Sequence, residues 1–306
     1  MHRCFAPRDR KPRLTSSMPT ETPTEPAAAT REIVKKISAI ATLPEVTARI
    51  VATVEDPRSS AAQLHRIVSH DPALVTRILK VVNSAFYGLP GQIASIERAI
   101  VLLGLNAVKN IAVAASIGQL FRRVKVCEGL TARDLWTHCI AVGVTARHLA
   151  AQMRLPLADE AFLAGMIHDV GLLVSLQVFP EKLAESCERS RTEPDFCEIE
   201  RRLVGYDHQQ LGSALCEQWK FPRSCQFVAG FHHRPTALAS NHRLLVTLVY
   251  VADTLCCAAN HGLSLTAAHQ KIEDGDIDSI GLDPLLVEQA RSSLPTLVSA
   301  AASIFG

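Results

Sequence analysis

The sequence predicts an all-α protein, and three observations carry that prediction. Sustained period-two alternation, the mark of a half-buried strand, is missing, and aromatic residues make up only 5% of the chain. From Ile33 onward apolar residues recur three and four apart, the spacing of one helix face. Helix starts are spelled out by capping residues at several of these repeats. With 306 residues, 48% of them hydrophobic, the chain can bury a large core, arranged as about 12 to 15 helices of ordinary length joined by short connections.

Residues 1–29 hold five prolines (Pro7, Pro12, Pro19, Pro23, Pro26) among Thr, Ser and Glu, and such a segment is expected to be a disordered tail. Residues 30–125 follow as a first helical bundle. Its helices are marked by Ile33, Ile37 and Ile40, then by Val46, Ile50, Val51 and Val54. Ser59 or Ser60 can cap "AAQLHRIVSH", and Asp71 followed by Pro72 is an N-cap with proline in the first helical position. Asn83 and Ser84 are expected to anchor the turn around Gly88 by side-chain to backbone hydrogen bonds. The stretch Ile96 to Leu120 is strongly apolar but broken by Glu97, Arg98, Asn106, Lys109 and Asn110. It therefore reads as a buried helix pair rather than a membrane span.

The segment "VKVCEGL", residues 124–130, separates this block from a second one, residues 126–306, with a helical extension at its end. Thr131 can cap "ARDLWTHCIAVGVTARHLAAQM". Trp136 and Trp219 read as packing residues whose indole N–H needs an acceptor if buried. The Asp274-Gly275 step reads as part of an acidic, polar loop.

Composition excludes some classes of function. A net charge of +2, from 32 basic and 30 acidic residues, gives no footprint for a nucleic acid, and Arg122, Arg123, Lys125, Arg201 and Arg202 read as solvated faces. Nine cysteines occur without a Cys-x-x-Cys pair, and Cys256 and Cys257 adjoin in a helical stretch. Reduced thiols packed as small apolar groups in a cytoplasmic protein are expected. Arginines near the amino terminus are not followed by an apolar run of the kind a secretory signal carries.

Histidines and aspartates recur inside apolar helical stretches of the second block: His138, His168 and Asp169, His208, His232 and His233, and Asp253. Imidazole and carboxylate together suit a first-row divalent metal such as iron, manganese, zinc, cobalt or nickel, and helices of a bundle can aim them at one point. Adjacent residues on a helix point about 100° apart, so His168 and Asp169 are not expected to face one ion squarely. A carboxylate can instead reach between two ions while the imidazole binds one, which suggests a site at the edge of a bundle. His232 and His233 could divide in the same way, or one of them could serve as a cap. By spacing alone, a metal centre and a buried polar network are alternatives.

The order of these residues, with the blocks "LPEVTARIVATVEDP", "SHDPALVTRILKVVNSAFYG", "AFLAGMIHDVGLLV", "GYDHQQLGSALCEQWKFP" and "FHHRP", resembles the HDOD domain, a relative of the HD metal-dependent phosphohydrolases that serves as an output domain in bacterial signalling. The resemblance runs from about Ile37 to Asp253. It implies two packed helical bundles, the second HD-like, and a mono- or dinuclear metal site. His138, His168, Asp169 and Asp253 would be ligands of a first ion, with His208, His232 and His233 candidates for a second. Two departures bear on catalysis. Related phosphodiesterases read His-Asp-x-Gly-Lys where this chain has Leu172, which supplies no cation to a developing phosphate charge. Their Gly-Tyr-Pro element after the histidine pair is replaced by "RPTALASNH". The expectation is a non-catalytic signalling module that binds a regulatory protein or a small ligand. A metal-dependent phosphohydrolase acting on a nucleotide or phosphate ester is the alternative.

Overall fold

The helix starts legible in the sequence form as hydrogen-bonded caps in the computed structural model, which describes residues 28–36, 43–54, 56, 58–84, 87–121 and 131–305. Ser60 accepts from the Gln63 amide, Asp71 from Leu74, and Thr131 from Asp134. Among the described residues there are sixteen α-helices and no strand. The first six are α1 (Ala28–Lys36), α2 (Glu45–Val54), α3 (Ala61–Val68), α4 (Pro72–Val82), α5 (Ile96–Leu103) and α6 (Leu105–Phe121). They are followed by α7 (Ala132–Gln152), α8 (Ala158–Ile167), α9 (Val170–Val178), α10 (Pro180–Arg189) and α11 (Phe196–Val204). The last are α12 (His208–Gln218), α13 (Arg223–Phe231), α14 (Arg243–Ala258), α15 (Asp274–Asp278) and α16 (Pro284–Phe305). The number exceeds the expected range by one. The apolar run around His168 and Asp169 is split in two, and Asp274-Gly275 opens a short helix held by a reciprocal cap between Glu273 and Asp276 rather than a loop.

Helices α2 to α5 pack around α6, which is buried on nearly all sides, as an element apolar over its whole circumference must be. The stretch Ile96 to Leu120 is thus a helix pair, α5 and α6, as its sequence suggested. Lys109 of α6 is 1% exposed, and its ammonium donates to the Thr53 carbonyl at the end of α2 and to Ser59. A cation placed there satisfies a helix C-terminus. Asn83 ties the turn after α4 together. Its amide donates to the Leu79 and Ile93 carbonyls, and its oxygen accepts from the Ile93 amide at 2.6 Å.

The second group of helices is built on α7, which lies against α8, α14 and α16. Helix α12 packs on α9 and α13, and α1 lies against α12 rather than on α2 to α6. Two glycine contacts set how closely the helices approach. A Cβ on Gly165 of α8 would stand 2.7 Å from Cα of Gly143 on α7, and one on Gly171 of α9 would stand 1.8 Å from the His208 carbonyl of α12. Small residues at both crossings draw α7, α8, α9 and α12 together, and these four carry His138, His168 and His208.

Trp136 packs against Phe121, with ring centroids 4.9 Å apart, and so links α7 to α6. Trp219 is also core, but its indole N–H has no acceptor among the described residues, contrary to the sequence expectation. Seven described cysteines are buried. The stretch Ala158–Val178 is long and apolar enough to cross a membrane by composition, and 89% of its apolar window is buried inside the protein. Helix α1 begins at Ala28, within the stretch 1–29 expected as a tail, and residues 1–27 lie outside the described part. So do the expected block boundary at 124–130 and Arg122, Arg123 and Lys125.

Candidate metal centre

Breaks and ends of helices position most of the seven residues. His138 and Asp253 sit within α7 and α14, where a helical side chain is held by packing on both sides. His168 caps the C-terminus of α8 and Asp169 the N-terminus of α9. His208 opens α12, and His232 closes α13 with His233 just beyond. Six of the seven are 0% exposed, and the His233 side chain is 9% exposed. This corrects the expected location at a bundle edge. The joint between α8 and α9 also corrects the expected divergence of the doublet. Asp169, with φ −94° and ψ 15°, leaves the helical path. Its Oδ2 lies 3.4 Å from His168 Nε2, so both side chains face one point.

The seven residues converge as two groups that share Asp169. On one side His138 Nε2 is 3.2 Å from His168 Nε2 and 3.1 Å from Asp253 Oδ1, with Asp169 Oδ2 3.8 Å away. His168 Nε2 and Asp253 Oδ1 stand 3.9 Å apart. On the other side Asp169 Oδ1 is 3.5 Å from His208 Nε2 and 3.3 Å from His232 Nε2. His233 Nε2 completes this group 3.1 Å from His208 Nε2.

Outer hydrogen bonds decide which ring nitrogen faces inward. A carbonyl only accepts, so His168 donates from Nδ1 to Gly165 at 2.7 Å, and His232 from Nδ1 to Val228 at 3.0 Å. His208 Nδ1 meets the Glu200 carboxylate at 2.5 Å, and His233 Nδ1 meets the Gln270 side-chain oxygen at 2.8 Å. Each bond fixes the tautomer and turns an Nε2 lone pair toward the centre, the arrangement that outer partners impose on metal-binding imidazoles. Lone pairs held this close repel unless a cation or a proton lies between them. Donors about 2.1 Å from a shared ion stand roughly 3.0–3.4 Å apart, which matches the spacing of the nitrogens. Both oxygens of Asp169 and Oδ2 of Asp253 are buried without hydrogen-bond donors. Such carboxylates are costly inside a protein unless a cation compensates them. The donor set fits a pair of borderline divalent ions, because it is imidazole-rich and lacks an inward thiolate.

The electrostatics agree. Burial works against charge on His208, yet the Glu200 carboxylate overrides it and pushes the imidazole up to about 9. Burial also opposes charge on His168, but Asp169 raises it. For Asp169 burial favours the acid, and the surrounding imidazoles of His168, His232 and His208 outweigh it, holding the carboxyl well below its ordinary value. Burial, with His232 alongside, presses His233 down to about 3. A stability dependence follows for protein freed of metal by chelation. A raised imidazole contributes stability that is complete below its unfolded value near 6.5 and is lost as pH rises through about 9. Chelated protein should therefore melt at progressively lower temperature between pH 6.5 and 9, by on the order of 3 kcal/mol in stability. Metal-loaded protein should not. A flat or rising melting temperature of the chelated form over that range contradicts this.

Glu200 escaped the sequence reading, which took only its neighbours Arg201 and Arg202, as a solvated face. The signal was present, because Glu200 shares the buried stripe of α11 with Phe196, Cys197 and Ile199 and is 1% exposed. Its Oε2 accepts from both the His208 backbone amide and the His208 ring. Glu200→Ala should lower metal affinity about 10- to 100-fold on the His208 side of the centre while leaving the other side occupied. Competition with a chromophoric chelator reads this directly, and equal loss from both sides would contradict it. Arg201 also departs from its expected solvated role, since it pairs with buried Asp207, the N-cap of α12.

Leu172 is fully buried in the apolar core, so that position brings no cation to the centre. After His233 the chain turns into a short 3-10 segment, Pro235–Ala237, with the Arg234 guanidinium 5.4 Å from the centre of the Phe231 ring. His233 also forms part of the wall of a 290 Å³ surface pocket with Gln209, Gln270, Cys197 and Thr266.

The profile of the HDOD domain family matches residues 40–235. An uncharacterized protein of Treponema pallidum (strain Nichols) is 26% identical over 237 residues, which is 76% of this chain and 45% of that protein. The chain thus spans less than half the length of this relative. A crystal structure of an HDOD domain protein of unknown function from Geobacter sulfurreducens superimposes with a TM-score of 0.76 at 24% identity, covering 90% of this chain and 96% of that one. A chain from Marinobacter aquaeolei VT8, named as a candidate signal transduction protein, superimposes with a TM-score of 0.72 at 25% identity, covering 91% of this chain and 65% of the other.

Proposed function

Because this chain belongs to the HDOD domain family, we propose that it is a non-catalytic regulatory module of bacterial signal transduction. It binds a protein or small ligand and carries a dinuclear divalent metal centre as part of its fold. One observation carries the metal reading: Asp169 turns one unpartnered oxygen to His138 and His168 and the other to His208 and His232. His138, His168 and Asp253 would hold the first ion, His208, His232 and His233 the second, with Asp169 between them. Iron, manganese, zinc, cobalt and nickel all suit this set. The signalling reading is supported by the likeness to the Marinobacter chain and by the core leucine at the position where a catalytic lysine is expected. Bound ions would then tie six helices together, α7, α8, α9, α12, α13 and α14, and contribute folding energy.

The near-complete burial of a full ligand set also favours a second reading, a metal-dependent phosphohydrolase. Bound ions would supply Lewis-acid chemistry toward a phosphate ester. In that case the residues of this chain would orient the ester through the pocket beside His233 and exclude bulk water. A panel of phosphate monoesters, nucleotides and cyclic dinucleotides, assayed with the metal-loaded protein, separates the two. The regulatory reading expects no turnover. Sustained phosphate release beyond one equivalent, abolished in Asp169→Ala, would replace it with the enzyme.

A further inference from the structure

The Asp253 carboxylate is held from behind by a thiol that the seven-residue centre does not include. One turn further along α14 the Cys257 thiol donates to Asp253 Oδ1 at 3.4 Å, and that same oxygen stands 3.1 Å from His138 Nε2. Cys257 is 4% exposed, and its sulfur lies 3.7 Å from a second acceptor, the Leu263 carbonyl. A thiol has one proton to give, and the carboxylate is both nearer and charged, so it takes the bond. The loop after α14 closes this socket against α7. The Leu263 amide donates to the Asp134 carbonyl at 3.2 Å, and Gly262, with φ 81°, passes so close that a Cβ would stand 2.4 Å from the same carbonyl. The sulfur stands outside the donor set of the first group, His138, His168 and Asp253, whose ligand atoms lie within 4.8 Å of one another.

We propose that Cys257 is a positioning residue of the metal centre, whose thiol occupies one lone pair of Asp253 Oδ1 and aims the other at the first ion. The role rests on the metal reading above and names one residue on which the first ion depends. A carboxylate oxygen has two lone pairs, so the bond to sulfur and a bond to an ion do not compete. The terminal torsion of an aspartate is broad, so rotamer preference alone does not fix the carboxylate plane and an outer donor does. The first group needs that anchor more than the second. His208, His232 and His233 each have an outer partner, at Glu200, Val228 and Gln270. In the first group the Gly165 carbonyl fixes His168, whereas His138 Nδ1 and both oxygens of Asp169 have no hydrogen-bond partner among the described residues. Of the first ion's donors, only His168 and Asp253 are thus anchored from outside.

Zinc titration of the chelated full chain against a chromophoric chelator, in wild type, Cys257→Ala and Cys256→Ala, tests the proposal. Cys257→Ala should weaken the first ion about tenfold and leave the second unchanged, the low end for an outer partner because a thiol is a weak donor. Cys256→Ala is the packing control. It removes the neighbouring buried thiol, whose sulfur meets Thr145 Oγ1 at 3.6 Å, and should leave both ions unchanged. In His168→Ala, which is expected to keep only the second ion, adding Cys257→Ala should change nothing. The infrared S–H stretch gives a reading on the wild type itself, independent of whether a variant folds. One band should move to higher frequency when zinc draws charge from Asp253 and weakens the bond, and that band should be missing from Cys257→Ala. A wild type that takes up no zinc defeats the metal reading and this inference together. A wild type that binds two ions overturns this inference alone if no S–H band responds to zinc, or if Cys257→Ala and Cys256→Ala hold the first ion equally.

Discussion

Asp169→Ala is expected to disable both halves of the buried centre at once. Asp169 lies within 3.3 to 3.8 Å of four of the five imidazoles, His138, His168, His208 and His232, whereas Asp253 reaches His138, His168 and, at 3.7 Å, only Nδ1 of His233 in the second group. Without it the first group keeps two imidazoles and Asp253, and the second keeps three imidazoles with no carboxylate nearer than Asp253 Oδ2, 3.7 Å from His233 Nδ1. The metal content measured by elemental analysis should fall from about two ions per chain to well below one. Stability should drop by roughly 3–5 kcal/mol, because the buried imidazoles lose both the carboxylate and the cations that balance them. Chelator should lower the melting temperature of the wild type toward that of the variant and leave the variant itself unmoved. Asp169→Asn keeps the shape and removes the charge, so it should resemble the alanine variant in metal content while melting higher. Retention of both ions in either variant would show that the carboxylate is not a shared ligand.

Gly171→Ala should be as damaging, although Gly171 has no functional group. Its added Cβ would stand 1.8 Å from the His208 carbonyl and 2.7 Å from the Gly212 amide nitrogen, both backbone atoms without room to turn aside. Helices α9 and α12 would have to separate, and that movement carries His208 away from Asp169. A loss of about 4 kcal/mol or more is expected, at the upper end for a single substitution, together with loss of metal from the His208 side. Gly275→Ala is the matched control. A Cβ there meets nothing within 4 Å, so the melting temperature should stay within a few degrees of the wild type. Equal stability of the two variants by thermal melting would mean that the α9–α12 contact does not govern the packing.

The sequence revealed elements more readily than their meeting points. Caps at Ser60, Asp71 and Thr131 and the side-chain bonds of Asn83 are local, set by residues within about ten positions, and each could be read from neighbouring letters. The seven centre residues were legible as a group because charged and imidazole side chains inside apolar helices require partners. Their geometry was not. The assumption of a continuous helix through His168 and Asp169 separated the pair by about 100°, whereas the helix breaks between them and turns both inward. Glu200 was hidden for a related reason. Its partner, His208, lies beyond the end of α11, so the stripe it shares with Phe196, Cys197 and Ile199 marked a buried face without naming the group that Glu200 serves. The role of Gly171 is likewise tertiary, since the close contact it permits is with a helix that begins 37 positions later in the chain, at His208.

Elemental analysis of protein purified without chelators, wild type beside His168→Ala, tests the central claim most directly. The structure predicts about two divalent ions per wild-type chain and about one in the variant, which keeps the His208, His232 and His233 group. A wild-type protein that is folded, metal-free and thermally indifferent to added manganese, iron or zinc would contradict it.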